Sequence, residues 1–189
     1  ARESKGRHII TSKIEHPSVL NSCKWLEKHG FEVSYISVDK DGTVSLDELE
    51  KAVRPDTILI SVMMANNEVG TIQPYKEIAA IAKKHGVLYH VDAVQAVGAI
   101  KVDVNDIGCD MLTLSAHKFY GPKGVGALYI RNGLKIEKLI VGGGQERAMS
   151  AATTSPVSKY TRPRRFLAWI FSLFIFRLRC RQVIDPERS

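Results

Sequence analysis

The sequence predicts an α/β fold in which a mostly parallel sheet is covered by helices on both faces. Segments typical of strands and of amphipathic helices alternate along the first 147 residues. Segment 31–38 alternates, whereas others, such as 57–64, are continuous apolar runs, which indicates strands that are buried on both faces. Strand–helix alternation with such strands is typical of a parallel sheet. Residues 1–147 are therefore predicted to form one α/β domain, and residues 148–189 a tail without an assigned domain.

Six strands and three helices are predicted in this domain. The strands are His8–Ser12, 31–38, 57–64, 87–91, 111–114 and 127–130, and the helices are 17–30, 46–53 and Tyr75–His85. Pro17 suits the first turn of a helix, and Gly30 and Gly86 suit positions just after a helix. Ser45 and Glu48 have the spacing of a capping box, in which each side chain bonds to the other residue's backbone N–H.

Lys118 is the strongest indication of chemistry. It follows the apolar run 111–114 and precedes a turn rich in Gly and Pro. A lysine at the end of a buried strand is poorly solvated, and desolvation makes its neutral amine available as a nucleophile. We therefore expect Lys118 to form a Schiff base with an aldehyde cofactor. A surface lysine in a loop is the alternative.

Asp92 directly follows a second apolar run, 87–91. A carboxylate beside a pyridine nitrogen keeps that nitrogen protonated, so that the ring withdraws electrons from a bound substrate. A lysine for the imine and an aspartate for the ring nitrogen are the requirements of pyridoxal-phosphate chemistry, and the sequence predicts this cofactor. A helix N-cap after the strand is the alternative role for Asp92.

Other polar residues follow the strands or precede a helix. Ser115 and His117 can donate hydrogen bonds to a phosphate group. Gln95 and Asn67 could reach the phenolic oxygen of the cofactor, although an asparagine in this context is also typical of a turn. His16 precedes a helix, where its flat ring could stack on the pyridine; a structural histidine is the alternative. No histidine pattern indicates a metal site.

Composition excludes several classes of function. The tail, residues 148–189, holds 8 of the 27 Lys and Arg but 2 of the 20 Asp and Glu, so it carries +6 of the net charge of +7. A nearly neutral body argues against nucleic acid as a partner. Three cysteines at wide spacing fit neither a disulfide framework nor a zinc site, and no signal segment is visible. A cytoplasmic location is predicted.

The tail allows two interpretations. It contains an apolar run, 166–176, that is flanked by arginines and is too short to cross a bilayer. One interpretation is a segment foreign to the fold, as a shifted reading frame or a damaged gene would produce. The other is a basic helix that lies on an anionic surface.

Five segments together resemble the cysteine desulfurases of the NifS/IscS type. These enzymes belong to the class V aminotransferase family of fold-type I pyridoxal-phosphate enzymes. The matching segments are 15–20, 66–74, 90–96, 115–126 and 142–147, within a resemblance that covers about residues 8–147. The resemblance implies that the domain is an incomplete large domain of such an enzyme.

The resemblance also implies a role for each candidate residue. His16 would stack on the cofactor ring, and Asp92 would contact the ring nitrogen. Asn67 and Gln95 would contact the phenolic oxygen, and Ser115 and His117 would contact the phosphate. Lys118 would be the Schiff-base lysine. His16 and Lys118 are the candidate catalytic residues. The substrate would be L-cysteine, and the sulfur would pass through an enzyme cysteine to an acceptor or scaffold protein. The full-length parent would be a homodimer.

The resemblance stops after Arg147. The family continues with two glycines, an arginine and later a mobile-loop cysteine, and residues 148–153 do not match. The chain also starts at Ala1, after the phosphate-binding loop with which the family begins. We therefore expect a truncated chain that does not turn over cysteine. A selenocysteine lyase, another class V enzyme, or a non-catalytic remnant with a tail that binds anionic surfaces are the alternatives.

Overall fold

The computed structural model describes residues 6–134. The strands are β1 His8–Ser12, β2 Glu32–Ile36, β3 Thr57–Met63, β4 Leu88–Asp92, β5 Met111–Ser115 and β6 Gly126–Ile130. The α-helices are α1 Pro17–Glu27, α2 Leu46–Ala52, α3 Tyr75–His85 and α4 Val104–Ile107. All six predicted strands and all three predicted helices are therefore confirmed, with small differences at their ends.

The six strands form one sheet in the order β2-β1-β3-β4-β5-β6. The first five are parallel to their neighbours, and β6 pairs with β5 in the antiparallel direction. The prediction of a mostly parallel sheet is confirmed. The last strand reverses because a short turn, rather than a helical crossover, connects β5 to β6.

Helices cover both faces of the sheet. On one face α1 packs over β1, β3 and β5 through Val19, Cys23, Leu26, Ile9, Leu59 and Met111. On the other face α2 and α3 pack through Leu49, Ile78, Ala82, Ile10, Ile60, Val62 and Leu112. Residues next to each other in a strand, such as Ile9 and Ile10, thus serve opposite cores. This explains why the strands are continuous apolar runs.

The helix ends differ from the predictions in two places. Helix α1 ends at Glu27, before the predicted stop at Gly30, and three residues of turn lead to that glycine at φ +82°. Helix α4 was not predicted; it is short, capped by Asp103 and ended by Gly108 at φ +77°. Gly86 ends α3 as predicted, with φ +67°.

The prediction of a capping box at α2 is half correct. The Ser45 side chain accepts the Glu48 backbone N–H at 3.3 Å, as predicted. The Glu48 carboxylate does not return to Ser45; it accepts the Ser37 backbone N–H at 3.1 Å and lies 3.4 Å from the Ser37 hydroxyl. Glu48 therefore links α2 to the chain after β2, because the Ser45 N–H already bonds to the Ser37 carbonyl.

Candidate active site

The predicted site residues follow the carboxyl ends of neighbouring parallel strands. Strand β1 lies between β2 and β3, so the direction in which the chain adds strands reverses at β1 and β3. Ligands of open α/β sheets bind outside the carboxyl ends of the strands at such a reversal. The chain between β1 and α1 carries His16, the loop after β3 carries Asn67, and β4 and β5 lead to Asp92 and Lys118.

Asp92 is the last residue of β4 and is only 7% exposed. Its Oδ1 accepts the Val94 backbone N–H at 3.0 Å. Asp92 thus caps a turn and not a helix, because no helix directly follows β4. Burial raises the pKa of Asp92, while the Val94 N–H and the charge of His16 oppose that rise. A buried carboxylate of this kind gains stability from a cation placed against it. Asp92 is therefore suited to a protonated ring nitrogen.

His16 is the N-cap of α1 and is half-buried. Its Nδ1 accepts the Ser18 backbone N–H at 3.1 Å and lies 2.8 Å from the Ser18 hydroxyl. Because Nδ1 accepts from a backbone N–H, a neutral His16 ring carries its proton on Nε2. The charge of His16 acts on the pKa of Asp92, so the ring lies near that carboxyl group.

Ser115 and His117 form one hydrogen-bonded pair. The Ser115 hydroxyl and His117 Nδ1 are 2.7 Å apart. Asp92 pairs with Thr113 across β4 and β5, and Ser115 lies two residues further along β5. Since alternate residues of a strand share a face, Ser115 and Asp92 lie on the same face of the sheet, the one covered by α1.

Lys118 ends a short 3-10 turn, Ala116–Lys118, directly after β5. Its side chain is exposed. The argument that the end of a buried strand desolvates this lysine is therefore wrong, because the turn carries the chain out of the sheet before Lys118. The residue still follows the strand next to Asp92, at the same edge of the sheet.

Close backbone contacts hold the turn that carries Lys118. Phe119 packs on Gly98, where an added Cβ would lie 2.7 Å from the Phe119 Cβ. The Gly121 N–H donates to the Ala116 carbonyl at 2.8 Å, and a Cβ on Gly121 would meet the Ala116 Cβ at 2.7 Å. Tyr120, between Phe119 and Gly121 in the chain, has φ +64° and is fully exposed. Only glycine leaves room for these contacts, so Gly98 and Gly121 determine the path of the turn.

The loop after β3 separates the roles of two adjacent asparagines. Asn66 is buried, and its Oδ1 accepts the Glu68 and Val69 backbone N–H groups at 2.8 and 2.9 Å. Its Nδ2 donates to the Ile14 carbonyl at 3.0 Å. The turn role considered for Asn67 thus belongs to Asn66, and Asn67 is exposed.

Asn67 and Gln95 line one cavity of about 370 Å³. Its wall also includes the exposed apolar side chains of Val69 and Ile72. The structure therefore brings together the two residues predicted to contact the phenolic oxygen. Asp92 and Lys118 are not among the residues that line this cavity.

Sequence reasoning assigned no role to Asn66 or to Glu15. Glu15 is buried at the end of β1, where its Oε1 accepts the Ser12 hydroxyl at 2.5 Å and the Met63 backbone N–H at 3.0 Å. The position of Glu15 three residues after a buried strand end was the available signal. No spacing rule, however, shows that its carboxyl group turns inward.

The described cysteines are not activated thiols. Cys23 and Cys109 are free and buried, and burial raises their thiol pKa to about 12 and about 11. A nucleophilic cysteine needs a lowered pKa and access to its target. Cys180 lies outside the described residues. Between residues 6 and 134, no group of three or more metal-binding side chains is present, and no helix is long and apolar enough to cross a bilayer.

The protein is an open α/β sheet with a candidate site at the carboxyl ends of its strands, where ligands of such sheets bind. The site contains a buried aspartate, a histidine at the first helix and a lysine after a neighbouring strand. The family model for class V aminotransferases matches residues 2–168. The chain belongs to the class V aminotransferase family.

Proteins named cysteine desulfurase match most of this chain. A cysteine desulfurase IscS of Methanosarcina thermophila is 60% identical over 153 residues, which are 81% of this chain and 38% of that protein. One from Clostridium botulinum is 56% identical over the same share of both chains. The mitochondrial cysteine desulfurase of Saccharomyces cerevisiae is 50% identical, over 79% of this chain and 31% of that one. The chain thus spans about two fifths of the first two relatives.

Solved structures with this fold include a NifS-like protein and SspA in complex with cysteine. The NifS-like protein is 44% identical, with a TM-score of 0.75, and the match covers 92% of this chain and 46% of that one. SspA is 40% identical, with the same TM-score, over 92% of this chain and 48% of that one. The fold of the described residues is therefore that of NifS-like proteins.

Proposed function

We propose that this chain is the pyridoxal-phosphate-binding core of a cysteine desulfurase. The observation that carries the proposal is the buried Asp92 at the end of β4, with His16 near it and the Ser115–His117 pair at the end of the next strand. The names of the relatives support the same activity.

The donor set fits the cofactor. Asp92 would hold the ring nitrogen, Asn67 and Gln95 the phenolic oxygen, Ser115 and His117 the phosphate, and Lys118 the aldehyde carbon. The bound cofactor supplies an electron-withdrawing ring that loosens bonds at the α-carbon of an amino acid. The raised pKa of the buried Asp92 supports this assignment, because a protonated ring nitrogen would stabilise its ionised form.

The chain's own groups would orient the ring and move protons. Asp92 presents a carboxyl group of fixed orientation, since the Val94 N–H holds its Oδ1. His16 is held by Ser18 through Nδ1, so Nε2 is the atom at which it would carry or release a proton. Lys118 is exposed, so its amine is accessible for a covalent link and for proton exchange at the substrate.

Sulfur transfer needs a thiol that the described residues do not supply. Cys23 and Cys109 are buried with raised thiol pKa values. The proposal therefore assigns cofactor and substrate binding to the described residues and predicts no cysteine turnover by this chain as it stands. Delivery of sulfur to an acceptor or scaffold protein for Fe–S cluster or thio-cofactor synthesis, a homodimeric parent and a cytoplasmic location complete the proposal.

Cofactor titration tests the proposal. Pyridoxal phosphate added to the full 189-residue chain should give a visible absorbance band from a covalent link, and Lys118→Ala should abolish it. Lys123→Ala is the matched control, because Lys123 is exposed in the same turn and has no proposed role. A band that survives in Lys118→Ala, or that disappears equally in Lys123→Ala, contradicts the assignment. Sulfide release from cysteine above the Lys118→Ala level would contradict the prediction of no turnover.

A further inference from the structure

Glu15 is a buried carboxyl group at the reversal point of the sheet. It is 3% exposed, and its two hydrogen bonds both use Oε1. Its other oxygen, Oε2, is buried without a hydrogen-bond partner among the described residues. Buried polar atoms of this kind are usually completed by an ordered water or by a ligand. The arrangement therefore indicates a role beyond packing.

The Oε1 bonds join the ends of two strands. The β1–β3 pairing ends at Thr11 and Ser61, so the Met63 N–H lies past the last backbone partner on β1. Glu15 accepts that N–H and also holds the Ser12 hydroxyl. The carboxyl group thus continues the junction between β1 and β3 by one bond and fixes the turn that leads into α1.

The same turn carries His16, and the same strand end leads toward Asp92. His16 follows Glu15 in the chain, and Met63 pairs with Asp92 across β3 and β4. The Asn66 side chain binds the Ile14 carbonyl and so holds the turn from its other side. A shift of Glu15 would therefore move His16 relative to Asp92.

We propose that Glu15 is a positioning residue of the cofactor site, which holds His16 in place and keeps a second carboxyl group next to Asp92. The inference rests on the proposed function. Glu15 acts through His16 and Asp92 and is assigned no contact with the substrate.

The charge of Glu15 follows from the groups around it. Burial raises its pKa to about 8, the Ser12 hydroxyl and the Met63 N–H oppose the rise, and Asp92 adds to it. Cys23 on α1 and Tyr89 on β4 are the other titratable groups that interact with it, and burial raises the pKa of both. Glu15 is therefore mostly uncharged at pH 7. Above pH 8 its negative charge would lie near the Asp92 carboxyl group and near a cationic ring bound there.

Two substitutions separate the bonding role from the charge. Glu15→Gln keeps an acceptor oxygen for Ser12 and Met63 but cannot ionise, and Glu15→Ala removes the acceptor. Glu48→Gln and Glu48→Ala are matched controls, because Glu48 also accepts a backbone N–H and faces a serine hydroxyl, at α2, away from the site. The probe is pyridoxal phosphate, with its dissociation constant measured by absorbance on the full chain at about pH 7 and about pH 9.

We expect Glu15→Ala to weaken cofactor binding about tenfold at pH 7, the loss of roughly one hydrogen bond to the site's framework, while Glu15→Gln stays within about threefold of the unmodified chain. Between pH 7 and pH 9 the unmodified chain should gain affinity relative to Glu15→Gln, because ionised Glu15 adds a negative charge near the protonated ring nitrogen. The comparison with Glu15→Gln cancels every pH effect that the two chains share. The Glu48 variants should bind as the unmodified chain does at both pH values.

A carbon-13 NMR titration of the glutamate carboxyl groups gives a second measurement that needs no cofactor. One resonance should titrate near pH 8, and Glu15→Gln should remove it. The inference is overturned if no such resonance exists, if Glu15→Ala and Glu48→Ala weaken binding equally, or if the unmodified chain gains no affinity over Glu15→Gln between pH 7 and pH 9. Failure of the proposed function has a different signature, since the Lys118-dependent band would then be absent from the unmodified chain while the carboxyl titration could still be observed.

Discussion

The two ends of the candidate site are built in different ways. The end around Asp92 consists of buried carboxyl groups held by bonds between residues far apart in the chain, such as Glu15 to Met63. The end around Lys118 is an exposed turn whose path depends on close contacts at glycines, such as that of Phe119 with Gly98. The first end fixes charge in a low-dielectric environment, and the second keeps an amine accessible.

This difference indicates a division between electrostatics and access. A carboxylate that must stabilise a cation gains strength when water is excluded, and the fold accepts the desolvation penalty to obtain it. An amine that must exchange covalent partners needs to be reached from solvent. The following predictions test whether the two ends respond differently, from the largest expected effect to the smallest.

The largest effect concerns the pH dependence of stability at Glu15. Its pKa is about 8 in the folded chain and 4.5 in the reference state, so the folded chain binds one more proton between these values. The free energy of unfolding should therefore fall as pH rises from 4.5 to 8, by about 1 kcal/mol per pH unit from this group. Urea unfolding at several pH values should show this slope as the difference between the unmodified chain and Glu15→Gln. Parallel profiles would rule the effect out, and Glu48→Gln should leave the slope unchanged.

Gly98→Ala tests the lysine end. The new Cβ would lie 2.7 Å from the Phe119 Cβ, and Gly98 has φ +85°. We expect the free energy of unfolding to fall by roughly 2 to 3 kcal/mol, the sum of overpacking and left-handed strain. Gly70→Ala is the control, because Gly70 has φ +80° but no atom within 4 Å of the added Cβ. Urea denaturation should show a clearly smaller loss for Gly70→Ala; an equal loss would remove the role of the Phe119 contact.

Asp92→Asn and Lys118→Ala compare the two ends directly. The asparagine keeps an acceptor for the Val94 N–H and removes a carboxyl group whose ionisation is opposed by burial, so Asp92→Asn should raise the free energy of unfolding at neutral pH. Lys118→Ala removes an exposed side chain and should change stability by less than about 0.5 kcal/mol. Both should impair cofactor binding. Thermal melts without cofactor measure the stabilities, and destabilisation by Asp92→Asn would contradict the electrostatic account of this end.

Tyr120→Gly should have the smallest effect. Tyr120 is fully exposed and has φ +64°, a conformation that glycine adopts without strain. Relief of this strain is opposed by the greater freedom of glycine in the unfolded chain, so the net gain should stay below about 1 kcal/mol. Chemical denaturation can resolve the sign, and a loss of more than about 1 kcal/mol would show that the tyrosine side chain makes a contact that its exposure does not reveal.

Much of the fold could be read from the sequence because strand and helix signals are local. Continuous apolar runs marked the buried strands, and Gly86 marked the end of α3, since only a residue tolerant of positive φ ends a helix in that way. Helix α4 escaped notice because four residues are too few to show a helical period. The site candidates were identified by residue type and by their position after strands, and their roles toward the cofactor remain predictions.

The sequence by itself determined the order of the elements, the mostly parallel sheet and the family, because these follow from local patterns and from motifs that can be compared directly. The tertiary structure alone decided which polar side chains turn inward. It buried Glu15 against Met63, gave the turn bonds to Asn66 rather than Asn67, and left Lys118 exposed. The physical reason is that burial and pKa depend on what lies within a few ångströms in space, and residues 15 and 63 become neighbours only when β1 and β3 pair.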